Sequence, residues 1–455
     1  MNMKIFFTSL VLFIIKTSFS LANEIFVSND LSESLESLYE YNPKIKYERE
    51  ILKSKDELLP KAFSNFRPEI SGYYQKGKVD TSSKGFNITS DGIRTETNKG
   101  VVISQSIFDG GSSFSEIQIS KNEIFSQRFY LKSIEQEVFL EGINLYAEFA
   151  TENSNLILKK KNVEVLKRQL ELTKEQFEIG EVTMTDVSIA EARLLLAESE
   201  NLESINNLNS LEANFLSIFG KAPQKPKIEI PLKSLYSDFD ELKKKALEEN
   251  PKIKGIKYKI KSFKKQIQSL KRKQLPSVKL EAEAKINEGY FRTDSKREVL
   301  SAFAKIDIPI YRSGLASSEI RSLRKQATAE IELLKLETKI LESNLTSSKS
   351  SFDYSISKIN AFKKQIESNK IYLEGLKQEL QLGERTTLDV LNGEQELLES
   401  SLGLVMAFKD YFVSYYEILF HLGKLNAKGL KLNVTLFDDE KNYNEVKGKW
   451  LDIIE

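Results

Sequence analysis

Apolar positions along this chain follow two rhythms, which alternate. In VKLEAEAKI, Val278, Leu280, Ala282, Ala284 and Ile286 fall on one side. Lys279, Glu281, Glu283 and Lys285 fall on the other. LSAFAKIDIPI does the same, with Leu300, Ala302, Ala304, Ile306, Ile308 and Ile310 opposite Ser301, Phe303, Lys305 and Asp307. A period of two predicts β-strands. About ten residues of it fit a strand of an outer-membrane barrel, and equally a half-buried strand of a soluble sheet. Elsewhere the period is seven. Leu156, Val163, Leu170 and Phe177 form one line. Val187, Leu194, Leu208 and Phe215 form a second, interrupted by Asn201; Ala190, Ala197, Leu211 and Ile218 form a third, interrupted by Ser204. That is the seam of a coiled-coil packing of long helices.

The pattern is written twice. LYEYNPKIKYEREI (38–51) aligns with ALEENPKIKGIKYK (246–259), placing Asn42-Pro43 against Asn250-Pro251, and Pro68 matches Pro276 at the same offset of 208. Beyond the strands the offset is 203: Ile107-Phe108-Asp109-Gly110-Gly111 meets Ile310-Tyr311-Arg312-Ser313-Gly314, Gly180 meets Gly383, Asp186 meets Asp389, and Gly220 meets Gly423. A unit of some 200 residues has been duplicated, far longer than a solenoid repeat. Each copy predicts a helix (31–65, then 238–275), a strand–loop–strand, a very long helix (112–178, then 314–381), a glycine-containing turn, and a return helix (184–219, then 387–422). The loops are polar: 78–100 in the first copy and the shorter 287–298 in the second.

Two counts constrain the architecture. Four strands cannot close a barrel, since the smallest have about eight, so any membrane barrel must be shared by several chains. At 1.5 Å per residue each long helix is about 100 Å long. The two shorter helices of its repeat sum to a similar length and would run beside it end to end.

Composition narrows the class. Among 455 residues, 67 basic and 66 acidic side chains nearly cancel. There is no basic surplus of the kind a nucleic-acid binder needs to displace counterions. Lys4, the apolar run Ile5–Ile15, and Ser20-Leu21-Ala22 predict a secretory signal cleaved after Ala22. No later run approaches the length of a transmembrane helix, so insertion in a membrane would be by β-barrel. With no cysteine, the chain has neither disulfides nor a site for a lipoprotein acyl chain. Nine prolines in all leave room for long uninterrupted elements.

The duplicated Asn-Pro-x-Ile, the strand-ending IFDGG (107–111), the two copies of Gly-x-x-Thr-x-x-Asp-Val and the C-terminal NYNEVKGKW (442–450) together resemble the TolC family of outer-membrane efflux and secretion channels. The resemblance spans essentially the whole mature chain. It implies a mainly α fold with a small β part. In that fold a homotrimer forms an outer-membrane β-barrel with four strands per protomer, continued by a long periplasmic α-helical barrel. By this reading the chain divides into a signal peptide (1–22), a first repeat (23–220), an equatorial linker (221–237), a second repeat (238–423) and a C-terminal equatorial segment (424–455). The implied role is the exit duct of a tripartite efflux pump or type I secretion system. Its partners would be a periplasmic adaptor (membrane fusion) protein, an inner-membrane transporter and outer-membrane lipid. A periplasmic coiled-coil scaffold without a pore is the alternative; it explains the helices but not the strands.

The same resemblance assigns residues. The turns at 178–191 and 381–394 become the periplasmic tips of the hairpins, with Gly180, Val182, Gly383 and Thr386 on the adaptor-docking surface. Asp389 becomes an acidic pore ring favouring cations, and three close carboxylates would raise one another's proton affinity. The family often has a second acid three residues on; here it is Asn392, which predicts a weaker filter. Arg385 becomes a latch to Thr185 and Asp186 of a neighbouring protomer. The aromatic partner sometimes found three residues before the second glycine is Leu380 here. Asp186 and Asp389 would serve equally as charges at helix N-termini, with Thr185 or Thr387 as cap.

Nothing points to catalysis. His421, the one histidine, lies near a helix end and reads as a packing or capping residue. Metal partners at ligand spacing are absent, as are Gly-x-Ser-x-Gly and phosphate-loop motifs, and no cofactor is expected. Tyr443 and Trp450 read as anchors of the tail.

Overall fold

The structure, a computed structural model, describes residues 28–85, 88–223, 226–229, 238–311 and 313–450. The expected signal peptide and most of the 221–237 linker lie outside the described residues. In chain order the elements are α1 (Asn29–Tyr41), α2 (Pro43–Asp56), α3 (Leu58–Ser64), β1 (Glu69–Gly85), β2 (Ile88–Asp109), α4 (Ser112–Glu178), α5 (Met184–Phe219), α6 (Phe239–Glu249), α7 (Pro251–Arg272), β3 (Ser277–Glu288), β4 (Lys296–Asp307), α8 (Leu315–Gln381), α9 (Thr387–His421) and α10 (Lys441–Val446).

The long helices fall where the periodicity puts them, and α4 and α8 each run 67 residues. Each helix expected before the strands is instead divided at a proline. The residue preceding proline is pushed out of the α region: Asn42 sits at ψ 121° and Asn250 at ψ 124°. Asn42 also accepts from the amide of Lys44 (2.9 Å), so it ends α1 and starts α2.

Of the described residues, those up to Tyr47, within Lys132–Asn250 and within Lys339–Phe437 form one compact unit; those within Glu48–Leu131, within Pro251–Thr338 and from Asp438 form the other. The first unit has an aromatic core. Tyr146 stacks on Phe412, Phe412 meets Tyr416 edge-on, and Phe215 stacks on Phe219 at 4.1 Å. The heptad seam is real: Leu166 and Leu170 of α4 pack with Val187, Ala190, Leu194 and Ala197 of α5. Ser204, which breaks one heptad line, is fully buried and donates to the Glu152 carboxylate. Leu208 and Leu211 are only half-buried and Phe177, next to the turn, is exposed, so the seam is tightest around Leu166–Leu170 and Val187–Ala197 and loosens on either side.

The second unit holds an antiparallel sheet of order β1-β2-β3-β4. Cross-strand partners Ile103, Ala282 and Ala302 lie in one row, as do Val101, Ala284 and Leu300. The alternation seen in β3 therefore extends across the sheet as one apolar face, and much of it is exposed: Ile70 is 67% and Leu300 86% accessible. A register shift between Ser106 and Phe108 brings Phe108 opposite Val278, on that face.

The expected loop at 78–100 is largely strand: Lys78 pairs with Thr95 and Gly85 with Ile88. Of 287–298, only 289–295 lie outside the ladder. These polar stretches lack alternation, yet their backbones pair. β4 ends at Asp307 rather than Ile310, because Pro309 has no N–H to give the ladder.

The IFDGG corner joins β2 to α4. Gly110 and Gly111 have φ of 70° and 80°, and the Asp109 carboxylate accepts from the amides of Gly111 and Ser113. No helix of the described residues is long and apolar enough to cross a membrane.

The paired hairpin tips as candidate functional site

Both hairpins turn by the same local construction. At the end of α4, Gly180 adopts φ 81° and donates to Phe177 O (3.0 Å), while Glu181 donates to Gln176 O (2.9 Å). At the end of α8, Gly383 adopts φ 77° and donates to Leu380 O (3.0 Å), while Glu384 donates to Glu379 O (2.9 Å). This pair of bonds is a Schellman closure, which needs a left-handed residue and so favours glycine.

The returning helices then open on matching capping boxes. Thr183 N donates to Asp186 Oδ2 (2.8 Å), and Asp186 N donates back to Thr183 Oγ1 (3.3 Å). Thr386 N donates to Asp389 Oδ2 (2.9 Å), and Asp389 N donates to Thr386 Oγ1 (3.3 Å). The caps are thus Thr183 and Thr386, not Thr185 or Thr387. The box requires a cap and an acid three residues apart, and only these pairs have that spacing. Thr387 is buried and Thr185 is exposed.

Capping sets the electrostatics of each acid. The Thr386 amide and hydroxyl hold the Asp389 carboxyl below the usual range, with Arg385 contributing. The Thr183 hydroxyl and amide do the same for Asp186. Within one chain the shift is therefore downward, opposite to the mutual repulsion expected of a ring. Each box uses Oδ2, leaving Oδ1 for a further partner.

The remaining assigned residues separate. Arg385 Nε donates to Glu379 Oε2 at 2.8 Å, across the turn of its own hairpin. It does not meet Thr185 or Asp186 of the same chain. Asn392 is exposed and accepts from Arg193 Nη2 (3.1 Å), linking α9 to α5. Leu391 enters the α4–α5 apolar cluster, and Val390 packs with Leu373 and Leu376 of α8. The two tips therefore lie side by side. Val182, half-buried, occupies the place in the first hairpin that Arg385 takes in the second.

Glu379 and Arg193 escaped the sequence reading. The repeat holds a signal for the first: at the positions equivalent to Glu379 and Arg385 the first hairpin has Gln176 and Val182, so the charged pair belongs to one tip only. Among the described residues no cluster of three or more potential ligands could hold a metal. His421 is buried, and its carbonyl accepts from Asn250 Nδ2.

Residues 61–220 and 242–422 match the model of the outer membrane efflux protein family. The chain is 26% identical over 426 residues to the outer membrane efflux protein BepC of Brucella suis, covering 93% of this chain and 92% of that one. It is 26% identical over 271 residues to the alkaline protease secretion protein AprF of Pseudomonas aeruginosa, covering 56% and 55%. Its fold is that of the Campylobacter jejuni CmeC outer membrane channel, with a TM-score of 0.79 at 14% identity over 95% of this chain and 94% of that one. Duplicated hairpins, a four-stranded sheet with an exposed apolar face, and a family match over both repeats converge: the chain belongs to the outer membrane efflux protein family, channels that form an exit duct across the outer membrane into which the periplasmic helices lead.

Proposed function

We propose that three copies of the chain close one twelve-stranded barrel and that the hairpins continue it as a helical duct through the periplasm. The observation that carries this is the open sheet. Within one chain β1 and β4 are both edge strands, and the apolar face is exposed. Unpaired edges cannot stand in lipid, and four strands cannot curl shut. Pairing β4 of one copy with β1 of the next removes every edge and turns the apolar face to outer-membrane lipid.

The tips around Gly180, Val182, Gly383 and Thr386 dock a periplasmic adaptor, and an inner-membrane transporter supplies the energy. Asp389 from three copies forms the cation-favouring ring, with Asn392 adding no charge. Arg385 of one copy reaches Thr185 and Asp186 of its neighbour, where Asp186 Oδ1 is left by its own cap. The duct carries no catalytic group.

Fractionation tests the reading. Heat-modifiable trimers in the outer-membrane fraction are expected. Recovery as a soluble periplasmic monomer would overturn it in favour of a poreless scaffold.

A further inference from the structure

Trp450 is the single tryptophan of the chain, and it is exposed rather than packed in a core. Its ring lies 4.7 Å from the Arg67 guanidinium. Arg67 stands two residues before β1, where the apolar strand face begins at Ile70.

The tail is led to this place by a buried clamp. Arg128, its side chain only 6% accessible, bonds Glu440 at 3.0 Å and lies 4.9 Å from the Tyr443 ring. Asn442 donates to Asp56 Oδ2 (2.9 Å) and to Lys53 O (3.2 Å). From that clamp beside α2 the tail reaches Arg67, past the end of α3. So the last described residue is delivered to the level where strands start.

Aromatic and basic side chains gather at that level, with Lys273 also bonded to the Glu116 carboxylate at 3.1 Å. Phe66 meets Phe114 edge-on at 5.1 Å, and both are exposed. Lys271 and Lys273 are exposed just before β3, and Leu275 beside them is about half accessible. Exposed aromatic rings with basic heads, bordering an apolar strand face, match the chemistry of a membrane–water interface. There an indole rests at head-group depth and lysine and arginine meet lipid phosphates.

We infer that the C-terminal segment is a second membrane contact, in which Trp450, backed by Arg67 and accompanied by Lys271 and Lys273, seats in the phospholipid head-group layer on the helical side of the barrel. The inference rests on the outer-membrane placement of the strands but adds a contact outside the barrel.

The lone tryptophan makes this directly measurable. The full chain is reconstituted in phosphatidylcholine/phosphatidylglycerol vesicles carrying bromine near the head-group end of the acyl chain or near its methyl end. Trp450 is expected to lose more fluorescence to the shallow bromine than to the deep one, and to be shielded from aqueous acrylamide. A reporter variant, Trp450→Phe with Tyr74→Trp, moves the only indole onto the apolar strand face, in the row of Ile286. If that reporter is quenched while Trp450 responds to acrylamide alone, the anchor is overturned and the barrel stands. If neither is quenched by bromine, the strands are not in lipid and both readings fall.

Discussion

The Arg385 guanidinium bonds Glu379 of its own hairpin at 2.8 Å, six residues back along the chain. Both side chains are about half exposed, so the pair adds little to stability. Its consequence is competition, because Arg385 cannot bind Glu379 and a neighbouring tip through the same nitrogen. Arg385→Ala should therefore raise single-channel conductance in planar bilayers by removing the latch. Glu379→Gln should lower it by freeing the arginine to reach across. Neither change should move the unfolding midpoint. An unchanged conductance in Arg385→Ala would remove the latch, and a rise in Glu379→Gln would mean that the two residues close the tip together.

Asp389 has two duties that substitution can separate. Asp389→Asn keeps an oxygen for the Thr386 amide but removes the charge, so cation selectivity should fall while the fold persists. Thr386→Ala should leave the charge and cost about 1 kcal/mol of helix capping. Because the cap holds the Asp389 carboxyl below its usual range, its charge is present at neutral pH and is lost only as pH falls through that depressed value. Selectivity recorded down a pH series should thus outlast the ordinary carboxylate range. Loss of selectivity already at mildly acidic pH would show that repulsion within the ring outweighs the cap.

How much of this site was legible follows the distance over which each feature acts. The tips were readable because glycine, threonine and aspartate at fixed spacing encode a local turn. The true caps were readable too, since Thr183 and Thr386 satisfy the three-residue spacing that Thr185 and Thr387 do not. Glu379–Arg385 was hidden, because it forms only once the Schellman closure folds the chain back. Arg193–Asn392 joins residues 199 apart and depends on two hairpins packing side by side. In the sheet, alternation located β3 and β4, where one face is apolar. It failed from Lys78 to Gly100, where a strand with mostly polar residues on both faces looks like a loop. The breaks at Pro43 and Pro251 were written plainly and overridden by helical periodicity.

Glycines that look alike in sequence should differ sharply on replacement. At Gly180 and Gly383 an added Cβ meets nothing within 4 Å, so alanine costs only the left-handed backbone, about 1–2 kcal/mol. At Gly110 the same φ is joined by a clash, the new Cβ falling 2.2 Å from Arg272 O. Gly383→Ala should assemble normally, whereas Gly110→Ala should misplace the β2–α4 corner and reduce the yield of heat-modifiable oligomer. Equal yields would mean that the corner can shift to admit a side chain.

His421 gives the fold an acid sensitivity unrelated to the pore. Burial lowers its pKa from 6.5 to about 4, so the folded chain holds the ring neutral where the unfolded chain would protonate it. Above pH 6.5 both states are neutral and nothing is lost. As pH falls from 6.5 toward 4 the unfolded state gains by protonation, and the folded state loses up to about 3 kcal/mol relative to it. His421→Phe, of similar shape and without a proton to bind, should abolish this component. The midpoint of chemical unfolding, followed against pH for both proteins, should diverge below pH 6.5, with the variant falling less. Parallel curves would mean that the folded and unfolded chains bind this proton alike, so that burial does not lower the His421 pKa.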